Sequence, residues 1–433
     1  MVKEKNIEAG ILNGIDNAVG LFPGIQKFRQ DAREAFVKIG LPQNKAEEFK
    51  YTPITRLLNK SFTFEPSPST SAQPGEVGIT GVDAYLLVFV NGKYSQQHSN
   101  LEAVEGVEIG RLSDAVEKGD TKVQEHLGKY ASYQADGFAA WNTAAWDNGV
   151  YIRLRENIIL EKPILIHHWN DASDSEVITI NRNLFIVGRS SEVTIIEKYD
   201  SKGKSNHFSN HVTEAFVDEN ACLNHYTIQH DAGKRHLYAL TNIHQSRASR
   251  VNTFTFTLSG KLIRNNLHLA LDGEGIESHM FGLYLISDDT IADNHTVVDH
   301  RKPNSYSNEI YKGVMDGSSR GVFNGKIYVR PQAQKTNAFQ ANRNILLSDS
   351  ATVNTKPQLE IWADDVKCSH GCTTGQLDEE AMFYLQTRGI DKDTSRAMML
   401  YAFASEILNN VRHPELKAYF DRLISERLHK TFD

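Results

Sequence analysis

From Asp83 to Asp365, strand-like segments follow one another every ~9–14 residues, and no helical periodicity separates them. Thr253-Phe254-Thr255-Phe256-Thr257-Leu258 alternates strictly, and Leu267, Leu269 and Leu271 alternate with His268 and Ala270. Val193–Ile196 and Ala215–Val217 add short apolar runs. Asp272-Gly273-Glu274-Gly275, Asp316-Gly317 and Asn324-Gly325 read as turns. A sandwich, a barrel and a solenoid all fit this spacing. Roughly 280 strand-rich residues without an internal boundary exceed an ordinary sandwich or barrel, which favours a β-solenoid stacking short strands coil on coil. No crisp sequence repeat accompanies it.

Helical patterns flank this body. Phe28, Ala32, Ala35, Phe36 and Ile39 recur at three- and four-residue steps, and Gly40-Leu41-Pro42 stops the helix. Glu65–Gly75 (EPSPSTSAQPG) reads as a linker. Near the C-terminus, apolar faces recur over Asp378–Arg388, Asp393–Val411 and from Leu416 to Leu428. The expected division is an N-terminal helical region (1–60), a linker (61–82), a β core (83–365) and a C-terminal helical region (366–433).

The net charge of −7 lacks the basic field of a nucleic-acid binder. The longest apolar run, Ala84–Val90, is far below the ~20 residues of a membrane span. Cys222, Cys368 and Cys372 form no disulfide framework, and the N-terminus carries no apolar core of signal-peptide length. A cytoplasmic chain is expected, with no nucleic-acid or membrane partner.

Enzyme signatures are missing. Gly321-Val322-Phe323-Asn324-Gly325-Lys326-Ile327 has the wrong spacing for a nucleotide loop, and Gly273-Glu274-Gly275-Ile276-Glu277-Ser278 is a broken GxGxxG in a strand-rich stretch. HExxH does not occur, and no GxSxG stands at a strand-to-helix elbow. Asp288-Asp289 and Asp364-Asp365 fit turns and caps, since adjacent strand residues face opposite ways. Seventeen histidines invite a metal site, but taken singly each fits a hydrogen-bonded structural role.

The densest cluster is Asp364-Asp365-Val366-Lys367-Cys368-Ser369-His370-Gly371-Cys372. On an extended strand, Cys368, His370 and Cys372 share one face. Thiolate and imidazole suit iron, zinc and Fe–S clusters. Steps of about 6.6–6.8 Å between i and i+2 are too open to close a cage, so another segment, another chain or solvent must finish such a site. Gly371 is a point where the strand would break and re-aim Cys372. The competing reading makes both cysteines small buried hydrophobes and His370 structural.

Several spaced motifs resemble the SufB/SufD family. They include Glu309-Ile310-Tyr311-Lys312-Gly313-Val314, Gly321–Val329 (GVFNGKIYV) and Gln332–Gln340 (QAQKTNAFQ). Pro357–Gly371 (PQLEIWADDVKCSHG) is similar to the SufD form of the signature, and Gly375 to Ile390 continues it. Gly40-Leu41-Pro42 with Glu47-Glu48-Phe49-Lys50-Tyr51-Thr52, and Phe138-Ala139-Ala140 to Gly149-Val150, fit as well. The likeness covers most of the chain and is weakest over 61–134.

That resemblance implies a mainly β chain: a right-handed parallel β-helix between N- and C-terminal helical regions. It implies a non-catalytic scaffold subunit of the SUF iron–sulfur cluster assembly complex. C-terminal helices would dock a SufC-like ATPase, and the end of the β-helix would pair with a SufB-like sister. His370, with Cys368 beside it, would be a ligand of iron or of a nascent Fe–S cluster at that interface, completed by the sister. No role carries over to Cys372. No cofactor is expected to stay on the isolated chain, which would be free to pair with itself, and any flavin would belong to the complex. Two other classes stay open on the residues alone: a polysaccharide-active β-helix enzyme, and a structural zinc protein using Cys368, His370 and Cys372.

Overall fold

The computed structural model describes residues 7–43, 46–62, 74–231 and 234–428. Most of the linker expectation, 63–73, lies outside them. Among the described residues, successive strands alternate between two sheets. A ten-stranded sheet runs from Lys367–Gly375 at one edge through Ile164–Ala172 to Tyr85–Val90, and a nine-stranded one from Thr352–Ile361 to Val150–Leu154 and Val107–Arg111. All pairings are parallel except at the N-terminal ends, where Lys93–Tyr94 and Val107–Arg111 pair antiparallel. The result is a parallel β-solenoid of about eight coils. Strands stack in register: Glu277 on Tyr306, Tyr306 on Asn337, Asn337 on Lys367.

The repeat hidden in the sequence is conformational. One corner of successive coils carries a left-handed residue: Asn157, Ser190, Asn220, Ala248, Gly275, Asn304 and Lys335, with φ between 56° and 67°. Each amide reaches a carbonyl one coil on, as from Ser190 to Glu219 (2.9 Å) and from Asn220 to Arg247 (3.0 Å). Gly275 and the asparagines at 157, 220 and 304 are residue types that favour that backbone; Ser190, Ala248 and Lys335 are not. The ladder hydrogen bonds compensate the strain elsewhere.

Alternation divides every strand into an inner and an outer face. The lumen is apolar on one side, with Ile166, Val193, Ile195, Ala215, Val217 and Leu269 buried there. The N-terminal helices Ile7–Ala18 and Gln26–Ile39 pack with Gly137–Ala145 on the outside of the nine-stranded sheet, against Phe208, Val212 and Leu240. The C-terminal helices Lys392–Leu408 and Pro414–Arg427 cover the outside of the ten-stranded sheet, where Phe420 stacks on Phe256 with ring centroids 3.7 Å apart. Among the described residues, no helix is long and apolar enough to cross a membrane.

Three sequence expectations change. Helices Leu112–Glu117, Thr121–His126 and Gly137–Ala145 interrupt the stretch read as uninterrupted strands. Asp120 and Asp136 cap two of them, and buried Glu214 holds the connecting loop by accepting from the amides of Gly128, Tyr130 and Ala131. Asn324-Gly325 is no turn but lies inside the strand Arg320–Val329, where a Cβ on Gly325 would strike the Gln340 side chain. The stretch after 365 opens with a solenoid strand, Lys367–Gly375, before its helices begin at Glu379.

Candidate functional site

The cluster singled out by sequence stands on the last strand of the ten-stranded sheet. Lys367–Gly375 pairs on one side with Asn337–Leu346, setting Cys368 on Ala338, His370 on Gln340 and Cys372 on Asn342. No described strand pairs with its other side. Gly371 does not break the strand. Ala338, Gln340 and Asn342 are buried inner-face residues, so Cys368, His370 and Cys372 continue that face at the mouth of the lumen. Cys368 is half-buried and packs against the lumen core, while His370 and Cys372 are exposed because no further coil covers them. Burial pushes the Cys368 thiol up.

His370 ends an inner-face column: Met280, Glu309, Gln340, His370. Gln340 Nε2 donates to Glu309 Oε2 at 2.7 Å. Burial pushes the Glu309 carboxyl up to about 7, against hydrogen bonds from Thr296 and Gln340 that pull it down. An unfolded carboxyl near 4.3 ionises well before the folded one. The stability this group contributes is therefore complete below about pH 4 and is lost as pH rises through about 7. Glu309→Gln should remove a pH-dependent change in stability of about 3.5 kcal/mol in all. Three imidazoles brought down to about 4 by burial, His236, His268 and His300, tilt stability the opposite way in both proteins and cancel in the difference. Urea unfolding of both proteins from pH 4 to pH 8 checks this, and a pH-independent difference would refute it.

Cys368, His370 and Cys372 do not converge into a closed cage. Among the described residues, one set of at least three His, Cys, Asp or Glu side chains has its ligand atoms all within 4.8 Å of one another, and it is elsewhere: His168, Glu197 and His211, all buried. Sequence reading missed this set because its members stand on three separate strands and meet only through the coiling. Their signal was alternation: His168 falls in phase with Ile164 and Ile166, and His211 with Ala215 and Val217.

Large apolar groups are among the residues exposed near this end of the solenoid. Phe339 is 36% exposed, Ile361 39% and Trp362 48%. A second apolar exposure lies on the helix Glu379–Thr387, which buries none of its residues; Phe383 is 69% and Tyr384 56% exposed.

The family described as "SUF system FeS cluster assembly, SufBD core domain" matches residues 168–403, and the SufBD protein N-terminal region matches 19–166. The iron-sulfur cluster assembly protein SufD of Escherichia coli K12 is 30% identical over 404 residues, spanning 92% of each chain. A SufBD family protein of Synechocystis is 29% identical over 92% of this chain and 90% of its own. The chloroplastic protein ABCI7 of Arabidopsis thaliana is 28% identical over 91% of this chain and 84% of its own.

Proposed function

The chain belongs to the SufBD family of the SUF iron–sulfur cluster assembly system, and from that premise we propose that it is a SufD-type, non-catalytic scaffold subunit whose last coil forms half of a cluster-assembly interface. The observation that carries this reading is the uncovered strand Lys367–Gly375, which presents His370 and Cys368 on the inner face of an open solenoid end. A SufB-like sister would cover that end and supply the remaining ligands. Iron and sulfide are cargo here, and a nascent cluster would be held only while both chains contribute. Without the sister, the same edge would pair two copies of this chain. A cytoplasmic location is part of the same proposal.

ATP energy would come from a SufC-like ATPase bound to the C-terminal helices. The exposed Phe383 and Tyr384 mark the contact surface. The neighbouring helices Lys392–Leu408 and Pro414–Arg427 are packed into the solenoid through Leu400, Ala404, Phe420 and Leu423. Movement of the docked ATPase would thus reach the β-sheet that ends in His370.

Co-purification and light scattering of the mixture of this chain with its SufC-like ATPase and SufB-like sister test the scaffold assignment. Phe383→Asp with Tyr384→Asp should weaken ATPase binding at least tenfold, about 1.4 kcal/mol. The melting temperature should hardly move, because both side chains lie at the surface. ATPase binding of undiminished strength would remove this helix from the docking surface.

A further inference from the structure

We propose that the lumen of the solenoid's first coils holds one divalent first-row transition-metal ion, bound by His168, Glu197 and His211. The site is separate from the cluster ligands at the far end and uses none of the residues that the sequence singled out for metal binding.

His168 lies on the strand Ile164–Ala172 and Glu197 on its neighbour Glu192–Gly203, both in the ten-stranded sheet. His211 comes from His207–Val217 in the opposite sheet. An ion held by all three would clamp the two sheets across the lumen. The side chains are 2–3% exposed, and their ligand atoms lie within 4.8 Å of one another.

The polar inventory is incomplete without a guest. His168 Nε2 is 3.8 Å from Glu197 Oε2, too far for a hydrogen bond, and has no other partner. Both ring nitrogens of His211 are buried without a partner. A buried imidazole nitrogen left in this way costs about 1–3 kcal/mol. The second Glu197 oxygen is already engaged, accepting at 2.8 Å from His225 Nε2, and Tyr199 and Asn183 donate to the first. Such outer hydrogen bonds fix a ligating carboxylate. Tyr199 and Phe89 stack on the His168 ring and fix its plane. A cavity of about 30 Å³ adjoins Glu197 and His211, room for one small occupant.

Two imidazoles and one carboxylate are a donor set for zinc or iron(II) rather than calcium or magnesium, which prefer oxygen. Arg235 lies nearby over the Tyr199 ring, but its charge is compensated by its ion pair with Asp231. A fourth position would fall to a water in the cavity. The ion would enter as the coils form, since the ligands are closed off from solvent afterwards.

The test uses the full chain without a metal-binding tag, unfolded in chelator and refolded with zinc or cobalt(II). Elemental analysis after desalting should give one ion per chain. The cobalt form should show visible bands of nitrogen and oxygen ligation without a thiolate charge-transfer band. The triple variant Cys368→Ala, His370→Ala, Cys372→Ala should keep the ion. His211→Ala should lower metal content at least tenfold. If that variant fails to fold, the wild-type cobalt spectrum and the triple variant still decide. An ion lost with the triple variant, a thiolate band, or a wild-type chain refolded with neither metal bound would overturn the proposal.

Discussion

Cys372→Pro is expected to abolish pairing of this chain with its SufB-like sister, and with itself, while leaving the solenoid folded. In the parallel ladder, the amide of Lys367 donates to the Thr336 carbonyl at 2.9 Å. Alternate residues share that direction, so the amides of Ser369, Gly371 and Thr373 face the strand Asn337–Leu346. Those of Cys368, His370 and Cys372 point to the open edge. Proline at 372 removes an outward donor without removing a ladder bond, and its ring obstructs an incoming strand. The affinity of the pair should fall about 100-fold or more, some 2.7 kcal/mol. Cys372→Ala is the control that removes the thiol and keeps the amide; it should pair normally. Equal weakening by both substitutions, measured by analytical ultracentrifugation, would show that the thiol and not the edge makes the contact.

Phe420→Ala should be the most destabilising single truncation on the C-terminal helices. Phe420 is 1% exposed, and its ring stacks on Phe256, itself 1% exposed. Truncating a buried phenylalanine costs about 3–5 kcal/mol, because the cavity adds to the lost transfer energy. Solenoid stability is spread over coils, so the loss should appear first as local detachment. Hydrogen exchange in Pro414–Arg427 should accelerate while the strands far from Phe256 keep their protection. Phe383→Ala, at a position 69% exposed, should change stability by less than about 0.5 kcal/mol. Similar effects from the two truncations would contradict the packing described for these helices.

The strand-rich body was legible because alternation of residue type is written directly into stretches such as Thr253–Leu258, where the threonines face the lumen and Phe254, Phe256 and Leu258 pack beneath the C-terminal helices. The flanking helices were legible from their stripes and stops, including Gly40, which has φ 65°. The coil repeat was not. Its corners demand a left-handed backbone rather than a residue type, and Ala248 and Lys335 fill them as well as Asn220 does. The helices of 112–145 escaped because they are short, and Gly137–Ala145 is buried along its whole length, which leaves no polar face to mark it. At the candidate site, residue chemistry picked out Cys368, His370 and Cys372 and their failure to close a cage. That they stand on the outermost strand depends on where the coiling stops. The lumen set went unseen for a related reason: His168, Glu197 and His211 are brought together by the passage of the chain from sheet to sheet.

The polar half of the lumen links these features. Gln229 donates to Asn265, Thr257 donates to Gln229, and Asn265 donates to Asn294. Farther along, Tyr284, Asn342 and Asn344 join by hydrogen bonds. A hydrogen-bonded interior fixes the register of neighbouring coils more strictly than apolar packing alone, because a slip would orphan several amides at once. The inner face that ends in His370 is thereby held in place ahead of any partner.

The most direct measurement is iron–sulfide reconstitution on four samples: this chain alone, this chain with its SufB-like sister, and each of these with His370→Ala. The account predicts cluster absorption only when wild-type chain and sister are together, with at least a tenfold loss on His370→Ala despite intact pairing. A full complement of cluster on the isolated chain, or an undiminished one on the His370→Ala complex, would contradict the claim that this solenoid end provides half of the assembly site.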